Sequence, residues 1–538
     1  MKADLILKSR TIFTGLDDAP ISGSVIIKGN RILAVGETDL SQYDCDMVLD
    51  YGDKLILPGF VDAHVHYFLG AIAESGRMCT EIAKAASEEE CLRMVKAFAA
   101  RHPEEKRILG MGWFPANWND APLPDKRSLD AIFTDKPVYL ISADVHTFWL
   151  NSKALEEAGI TEDLRPRSGS VGKFENGELS GLLFEPEAFS PAMAKVMDFD
   201  AQEMKQFHKT FLSRINACGV TSISEMSADD YNEAANRNYA IIKEMEEAGE
   251  LTCRLHIYTR LDGYTDFEKA KKLQARYCSE KLRLSGVKGF LDGVTSTYTG
   301  LLLEPYSDRP QTCGEKVPGA PFEENQASVT AANKAGLGVR LHCIGDGAVR
   351  MALDLYEGSL KANGNHGQVN TIEHIESIHP QDLPRFARLG VIPSMQPYHL
   401  VLDQNEKISR IGEARCRWEW PHRSILDEGG QLAFGTDYPV VDFNPFPSIY
   451  AAVTRMDDQG QPAGVNPQER ISLAEALKAY TSGAARAYGR EDIGALQEGK
   501  LADLAVVDRN LFAADASEIK DASVVLTVMD GKIVYLGI

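Results

Sequence analysis

Long hydrophobic runs are missing from this sequence. No stretch of about 18 apolar residues occurs among its 538, so a membrane-spanning helix is not expected. Positive charge is in deficit. Lysine and arginine number 57 against 78 aspartates and glutamates, a balance of −21. Nucleic acid and anionic membranes both need the basic surface that this balance denies, so neither is expected as a partner. Cysteine is sparse and scattered: nine residues, an odd number, with no CxxC pair. That speaks against a disulfide framework and for reduced thiols in a cytoplasmic protein. The opening "MKADLILKSRTIF" alternates like a strand and carries neither a long apolar core nor a cleavage-like site. Low-complexity tracts and short repeats are absent. What remains is ordinary globular composition, 44% apolar and 25% charged, in a chain long enough for more than one domain.

The texture changes along the chain. Short β-rich runs with turn signals fill the first stretch ("DLILKSRTIFTG", "GSVIIKGNRILAVGE") and return at the end ("KLADLAVVDRN", "SVVLTVMDGKIVYLGI"). Gly29-Asn30 and Asp530-Gly531 read as hairpin turns. Each end alone has too few strands to bury a core, so residues 1–56 and 486–538 are predicted to share one small β-sandwich domain. In between, eight short apolar strands alternate with amphipathic runs, from "GFVDAHVH" at Gly59 to "QLAFGTDYP" at Gln431. Eight such units favour an α/β fold of the (β/α)₈ TIM-barrel type over residues 57–485. The gap after the first strand is far too long for a connection. It is rich in Trp, Pro and Gly, and reads as a subdomain inserted over the barrel mouth, about residues 75–210.

Polar residues at the C-terminal ends of barrel strands face the functional end of the fold. His64 and His66 end strand one, Lys288 lies in strand four, His342 ends strand five, His374 strand six, and Asp437 strand eight. On a strand, positions i and i+2 share a face, so His64 and His66 can bind one ion together. A lone buried histidine is usually a core residue. A set spread over the functional ends of several strands is hard to explain as packing. Lys288 needs its own account, because an ammonium beside cations would be repelled. Desolvated and carboxylated, its amine becomes an anionic carbamate able to bridge two divalent ions. Otherwise it pairs with Asp292 or another carboxylate near the barrel mouth.

This set resembles the amidohydrolase superfamily, and more closely the YtcJ-like amidohydrolases, the group that includes N-substituted formamide deformylases. The resemblance is carried by "LPGFVDAHVH", "DVHTFWLNSKAL", "GLLFEP", "VKGFLDGVTSTYTGLLLEPYSD", "LHCIGDGAV", "IEHIE", "FGTDYPV" and "IGALQEGKLADLAVVD". It implies that His64 and His66 bind a first ion and that His342 and His374 bind a second. Lys288, N6-carboxylated, would bridge the two, while Asp437 binds the first ion and handles the proton. It also supports a pocket position for His146, which is a candidate for polarising a carbonyl or orienting substrate; beside it Trp113, Glu185 and Tyr298 are taken as candidate substrate-binding residues. Trp113, Trp118, Phe148 and Trp149 read as the lining of an apolar pocket or, alternatively, as a subdomain core. Two positions depart from the family's habits: Tyr298 stands where an arginine is common, and Gly347 where "IGDRA" is common. His256, His379, His399 and His422 receive no role.

The expected activity is hydrolysis of an amide-type C–N bond of a small molecule by a metal-activated hydroxide, with Asp437 acting as base and then acid. Two divalent ions are expected. Mixed nitrogen and oxygen ligation favours Zn²⁺, with manganese, iron and nickel left open. A mononuclear deaminase-type hydrolase, which needs no bridging lysine, is the alternative. A non-catalytic binding protein on the same barrel would have no reason to keep the whole ligand set. A homodimer is left open.

Overall fold

The parallel pattern of the middle segment closes on itself. In the computed structural model, which describes residues 1–118, 122–226, 233–315, 321–365, 367–464 and 466–537, eight strands form one sheet in sequence order. They are β1 (Phe60–Val65), β2 (Val220–Glu225), β3 (Arg254–Arg260), β4 (Leu282–Phe290), β5 (Gly338–Cys343), β6 (Thr371–His374), β7 (Ile392–Met395) and β8 (Ala433–Phe434). The seam between β1 and β8 is closed by a parallel bridge of Val65 with Tyr438. There the Asp437 N–H donates to the His64 carbonyl (2.7 Å) and the His66 N–H to the Tyr438 carbonyl (2.8 Å). The protein is therefore a (β/α)₈ barrel. Parallel strands covered on both faces should read as continuous apolar runs. Among the departures here, Asp62, Glu225, Arg254, Lys288, Arg340 and Glu373 are charged and buried.

Both chain ends build a second, eight-stranded sheet. Leu55–Pro58, the last strand of the N-terminal segment, pairs antiparallel with Leu504–Val507 from the C-terminal one. The Gly29-Asn30 and Asp530-Gly531 turns join the hairpins there. A side chain at Gly531 would overlap the Gly29 carbonyl oxygen, so the two hairpin tips meet where only glycine fits.

The insert between β1 and β2 carries a five-stranded sheet in the order Ser170–Lys173, Leu179–Phe184, Thr147–Leu150, Val138–Ser142, Ile108–Trp113. Its core takes the tryptophans. Trp113, Trp118 and Trp149 pack against one another at centroid separations of 6.0, 5.7 and 6.5 Å. Their indole N–H groups donate to the carbonyls of Leu140, Ala85 and Asp125. An indole satisfied inside an apolar cluster is a packing element, and these three rings lie in the core of the insert. No helix among the described residues is long and apolar enough to cross a membrane.

Candidate metal centre

Two of the expected strand-end residues lie beyond their strands. β1 stops at Val65, and His66 is the residue preceding the helix Tyr67–Glu74. Asp437 lies three residues past β8 at a φ of +58°. The chain leaves the ladder there because Asp62 captures it. Its carboxylate accepts from the Thr436 N–H (3.0 Å) and hydroxyl (2.6 Å), and from the His64 N–H (3.1 Å). Aspartate tolerates the left-handed backbone that this turn imposes. His64 and His66 therefore meet not through strand alternation but around one oxygen. Their Nε2 atoms stand 3.4 and 3.1 Å from Asp437 Oδ1.

The tautomers follow from the partners. His64 Nδ1 lies 2.7 Å from Glu373 Oε2, His342 Nε2 lies 3.1 Å from the Gly293 carbonyl, and His374 Nδ1 lies 2.8 Å from Gln396 Oε1. Each of these oxygens can only accept, so each of these nitrogens carries the proton. The lone pairs are left on His64 Nε2, His342 Nδ1 and His374 Nε2. Burial pulls His64 down to about 4, so its ring is neutral at pH 7.

A neutral imidazole lone pair facing a carboxylate oxygen is repulsive unless a cation lies between. Donors about 2.1 Å from a tetrahedral ion are about 3.4 Å apart, close to the separations around Asp437 Oδ1. The residues fit a divalent ion. His374, His399 and Asp437 also cluster closely, but the His374 nitrogen nearer Asp437 (Nδ1, 3.8 Å from Oδ2) is the one that donates to Gln396.

Lys288 is 1% exposed, and its Nζ has no hydrogen-bond partner among the described residues. Asp292, its candidate partner, is spent elsewhere. Its carboxylate accepts from the backbone N–H groups of Leu301, Ile344 and Gly345 at 2.8–2.9 Å. Burial pulls the Lys288 amine down to about 8. His64, His66, Lys288, His342, His374 and Asp437 all line one cavity.

The insert contributes His146 to the same cavity, its ring centroid 5.2 Å from that of His342. Its Nδ1–H donates to Glu185 Oε2 (2.8 Å), and the other Glu185 oxygen accepts from the Thr299 hydroxyl (2.9 Å). Burial alone would lower His146, but the carboxylates of Glu185, Asp144 and Asp437, Glu185 foremost, together more than offset this and lift it to about 9. Glu185 itself is 1% exposed and does not line the cavity, which it meets only through its contact with His146. The structure does not bring Trp113 or Tyr298 to the site. Trp113 is locked in the subdomain core. The Tyr298 hydroxyl donates to Asp308 (2.7 Å) while its ring packs on Arg309 and Arg410.

With this geometry in place, comparison with known proteins gives the family. The amidohydrolase family model matches residues 47–535. The chain belongs to the amidohydrolase family. It is 32% identical to Protein LONG AFTER FAR-RED 3 of Arabidopsis thaliana, over 99% of this chain and 92% of that one. It is 25% identical to the N-substituted formamide deformylase of Arthrobacter pascens, over 95% and 94% of the two chains. Among solved structures it resembles an uncharacterized metal-dependent hydrolase from Pyrococcus horikoshii OT3, with a TM-score of 0.74 and 26% identity over 95% of this chain and 99% of that one. Like its family it is a metal-dependent hydrolase of C–N bonds.

Three residues were missed by the reading of the sequence. Glu373 and Arg340 form a buried pair (3.1 Å) that holds His64 in its tautomer, and the Arg340 guanidinium also donates to the carbonyls of Ala63 and Ala487. His399 lies just beyond β7, with Nε2 3.9 Å from Asp437 Oδ2. A signal existed for each: a charge inside an apolar strand for the first two, and a histidine past the C-terminal end of a barrel strand for the third.

Proposed function

We propose that the chain hydrolyses an amide-type C–N bond of a small molecule at a two-ion centre. His64, His66 and Asp437 would hold one divalent ion and His342 and His374 the other, with Lys288, carboxylated on Nζ, bridging them. The observation that carries this is the buried Lys288 amine, which has no hydrogen-bond partner among the described residues and shares one cavity with His64, His66, His342 and His374. An unpaired buried ammonium is costly. As a carbamate it becomes an anion with two oxygens, matched to cations on either side. Nitrogen and oxygen donors together suit Zn²⁺.

Ions held there would acidify water and polarise a carbonyl. The protein's own groups do the rest. Asp437 takes a proton from the attacking water and returns it to the departing nitrogen. His146, held protonated by Glu185, donates a hydrogen bond to the oxygen on which negative charge develops. Arg340 and Glu373 keep His64 in the tautomer that turns its lone pair to the cavity.

The test is metal content together with turnover. Wild-type protein loaded with zinc should hold two ions per chain, and recovery of the metal-free protein should depend on bicarbonate. Lys288→Ala should hold at most one ion and lose activity by about 10²–10⁴. A Lys288→Ala protein with two ions and near-normal turnover refutes the bridge. The one-ion alternative keeps support from the self-sufficient His64, His66 and Asp437 triad. One ion per wild-type chain with Lys288 unmodified decides for it.

A further inference from the structure

The loop of residues 292–299, which follows β4, binds both halves of the site. Towards the barrel, the Asp292 carboxylate takes the N–H groups of Leu301, Ile344 and Gly345, and the Gly293 carbonyl accepts from His342 Nε2 (3.1 Å). The loop also closes on itself. The Gly293 N–H donates to the Thr299 carbonyl (3.1 Å), and the Thr299 and Gly300 N–H groups donate to the Val294 carbonyl (3.1 and 3.0 Å). On the side of β7, Lys407 donates to the Thr295 hydroxyl (2.9 Å) and pairs with Glu376, whose Oε1 faces His399 Nδ1 at 3.8 Å. A loop held on this many sides is a fixed reference for whatever is bonded to it.

Two of its hydroxyls reach the insert, and each ends at a carboxylate that holds His146. The Ser296 hydroxyl donates to Asp144 Oδ2 (2.9 Å), and Asp144 Oδ1 accepts the His146 backbone N–H (3.1 Å). The Thr299 hydroxyl lies 2.9 Å from Glu185 Oε1. Glu185 Oε2 accepts from the His146 ring, and the Glu185 N–H donates to the His146 carbonyl (3.0 Å). The single Thr299 hydroxyl proton has three oxygens in reach: Glu185 Oε1, Thr297 Oγ1 (2.7 Å) and the Val294 carbonyl (3.2 Å). The lone pairs of that hydroxyl can take the Val294 N–H (2.9 Å) and the Thr297 hydroxyl, which leaves its proton for the carboxylate, the one charged acceptor. The approach is close enough that a side chain on Gly293 would overlap both Thr299 Oγ and Glu185 Oε1.

Resting on the role proposed above for His146, we infer that Thr299 and Ser296 are positioning residues that set the insert's imidazole against the metal ligands. His146 belongs to the insert and His342 to the barrel, with their ring centroids 5.2 Å apart. One loop holds the His342 ring by its Gly293 carbonyl and the two carboxylates around His146 by its hydroxyls. Misplacing such a group by about 1 Å can cost about 10²-fold in rate. Thr299→Val keeps the size of the side chain and removes the hydroxyl. On 4-nitroacetanilide, whose hydrolysis releases a coloured amine, its kcat should fall by about tenfold or more, the scale of one hydrogen bond to a charged group, with KM and zinc content close to wild type. Thr299→Ser, which restores the hydroxyl, should restore kcat. Ser296→Ala should act in the same direction but less, by about threefold, since Asp144 keeps the Ser142 hydroxyl and the His146 N–H.

A second readout needs no turnover. In zinc-loaded protein the His146 Nδ1–H, bonded to Glu185, should give a downfield proton resonance, identified by its loss in His146→Gln. That proton should exchange with water faster in Thr299→Val than in wild type, faster to a lesser degree in Ser296→Ala, and at the wild-type rate in Thr299→Ser. A merely structural threonine would lower the melting temperature and leave the exchange rate and kcat per folded chain where they are, and that result overturns the inference. Should Thr299→Val not fold, an exchange rate unchanged in Ser296→Ala overturns it instead. Faster exchange in the variants of a protein that does not hydrolyse the anilide supports the seating of His146 by the loop and counts against the amide-hydrolysis reading.

Discussion

Two buried cations sit at opposite ends of neighbouring barrel strands. Arg254 opens β3 and Lys288 lies near the end of β4, and their exposures are 0% and 1%. Arg254 is fully engaged. It donates from Nε to Asp503 Oδ2 (2.6 Å), from Nη2 to Asp503 Oδ1 (2.9 Å) and Asp530 Oδ1 (3.2 Å), and from Nη1 to the Glu280 carbonyl (3.1 Å). These bonds staple the terminal sheet to the barrel floor. Lys288 has no such partner among the described residues. Equal burial with opposite satisfaction separates two uses of charge. At the N-terminal end of β3 the charge fixes architecture, and near the C-terminal end of β4 the Lys288 amine is held at the cavity with no hydrogen bond among the described residues.

The largest effects should split along the same line. Asp437→Asn keeps the shape of the side chain and one oxygen but cannot act as a base at neutral pH. Its kcat should fall by about 10²–10⁴, or about 3–5 kcal/mol, while unfolding is almost unchanged and most of the metal stays. Near-normal turnover with full metal content would end the proton-shuttle assignment. Asp503→Ala is the mirror case. Leaving Arg254 buried without its main partner should cost about 3–5 kcal/mol of stability, read by denaturant unfolding. The folded fraction should keep normal kcat per active site.

Lys288→Met sharpens the comparison further. Removing a buried amine that makes no hydrogen bond among the described residues in favour of an apolar chain of similar length should stabilise the metal-free protein by about 1–3 kcal/mol while metal binding falls. Destabilisation of the metal-free protein would mean that the amine is satisfied after all. Glu373→Gln is smaller again on the metal side, about 10–100-fold in affinity for the first ion, measured by chelator competition.

How much of this was legible beforehand follows the same division. The barrel could be read because each strand is short, apolar and bounded by turn residues. The ligand set could be read because histidines at strand ends violate that pattern. His66 and Asp437 were placed on strands because sequence periodicity carries no record of where a ladder stops. What ended the ladder was the capture of Thr436 by Asp62, a contact between residues far apart in the chain. The tryptophans show the converse limit. "GMGW" and "TFWL" look the same whether the ring faces a pocket or a core, and the hydrogen bond from each indole to a carbonyl decides it. His399 went unassigned because its meaning depends on Glu376, and Glu376 has meaning only beside Lys407.

The smallest effect concerns the hydrogen bond between His146 and Glu185. In the folded protein His146 is lifted to about 9, above the usual value of about 6.5. A raised basic group contributes stability that is fully present below about pH 6.5 and is lost as pH rises through about 9. The protonated ring is also the form that can donate to the oxygen bearing developing charge. Activity should therefore fall on the alkaline side near pH 9. Glu185→Gln keeps a hydrogen-bond acceptor for Nδ1 but removes the charge, so the alkaline limb should move down by about one unit. Turnover at pH 6, where the ring stays protonated, should change by less than about threefold. A pH profile of kcat/KM on both proteins decides the matter. If the limb stays in place when Glu185 loses its charge, His146 is not the group whose proton is lost there, and its part in the reaction is steric.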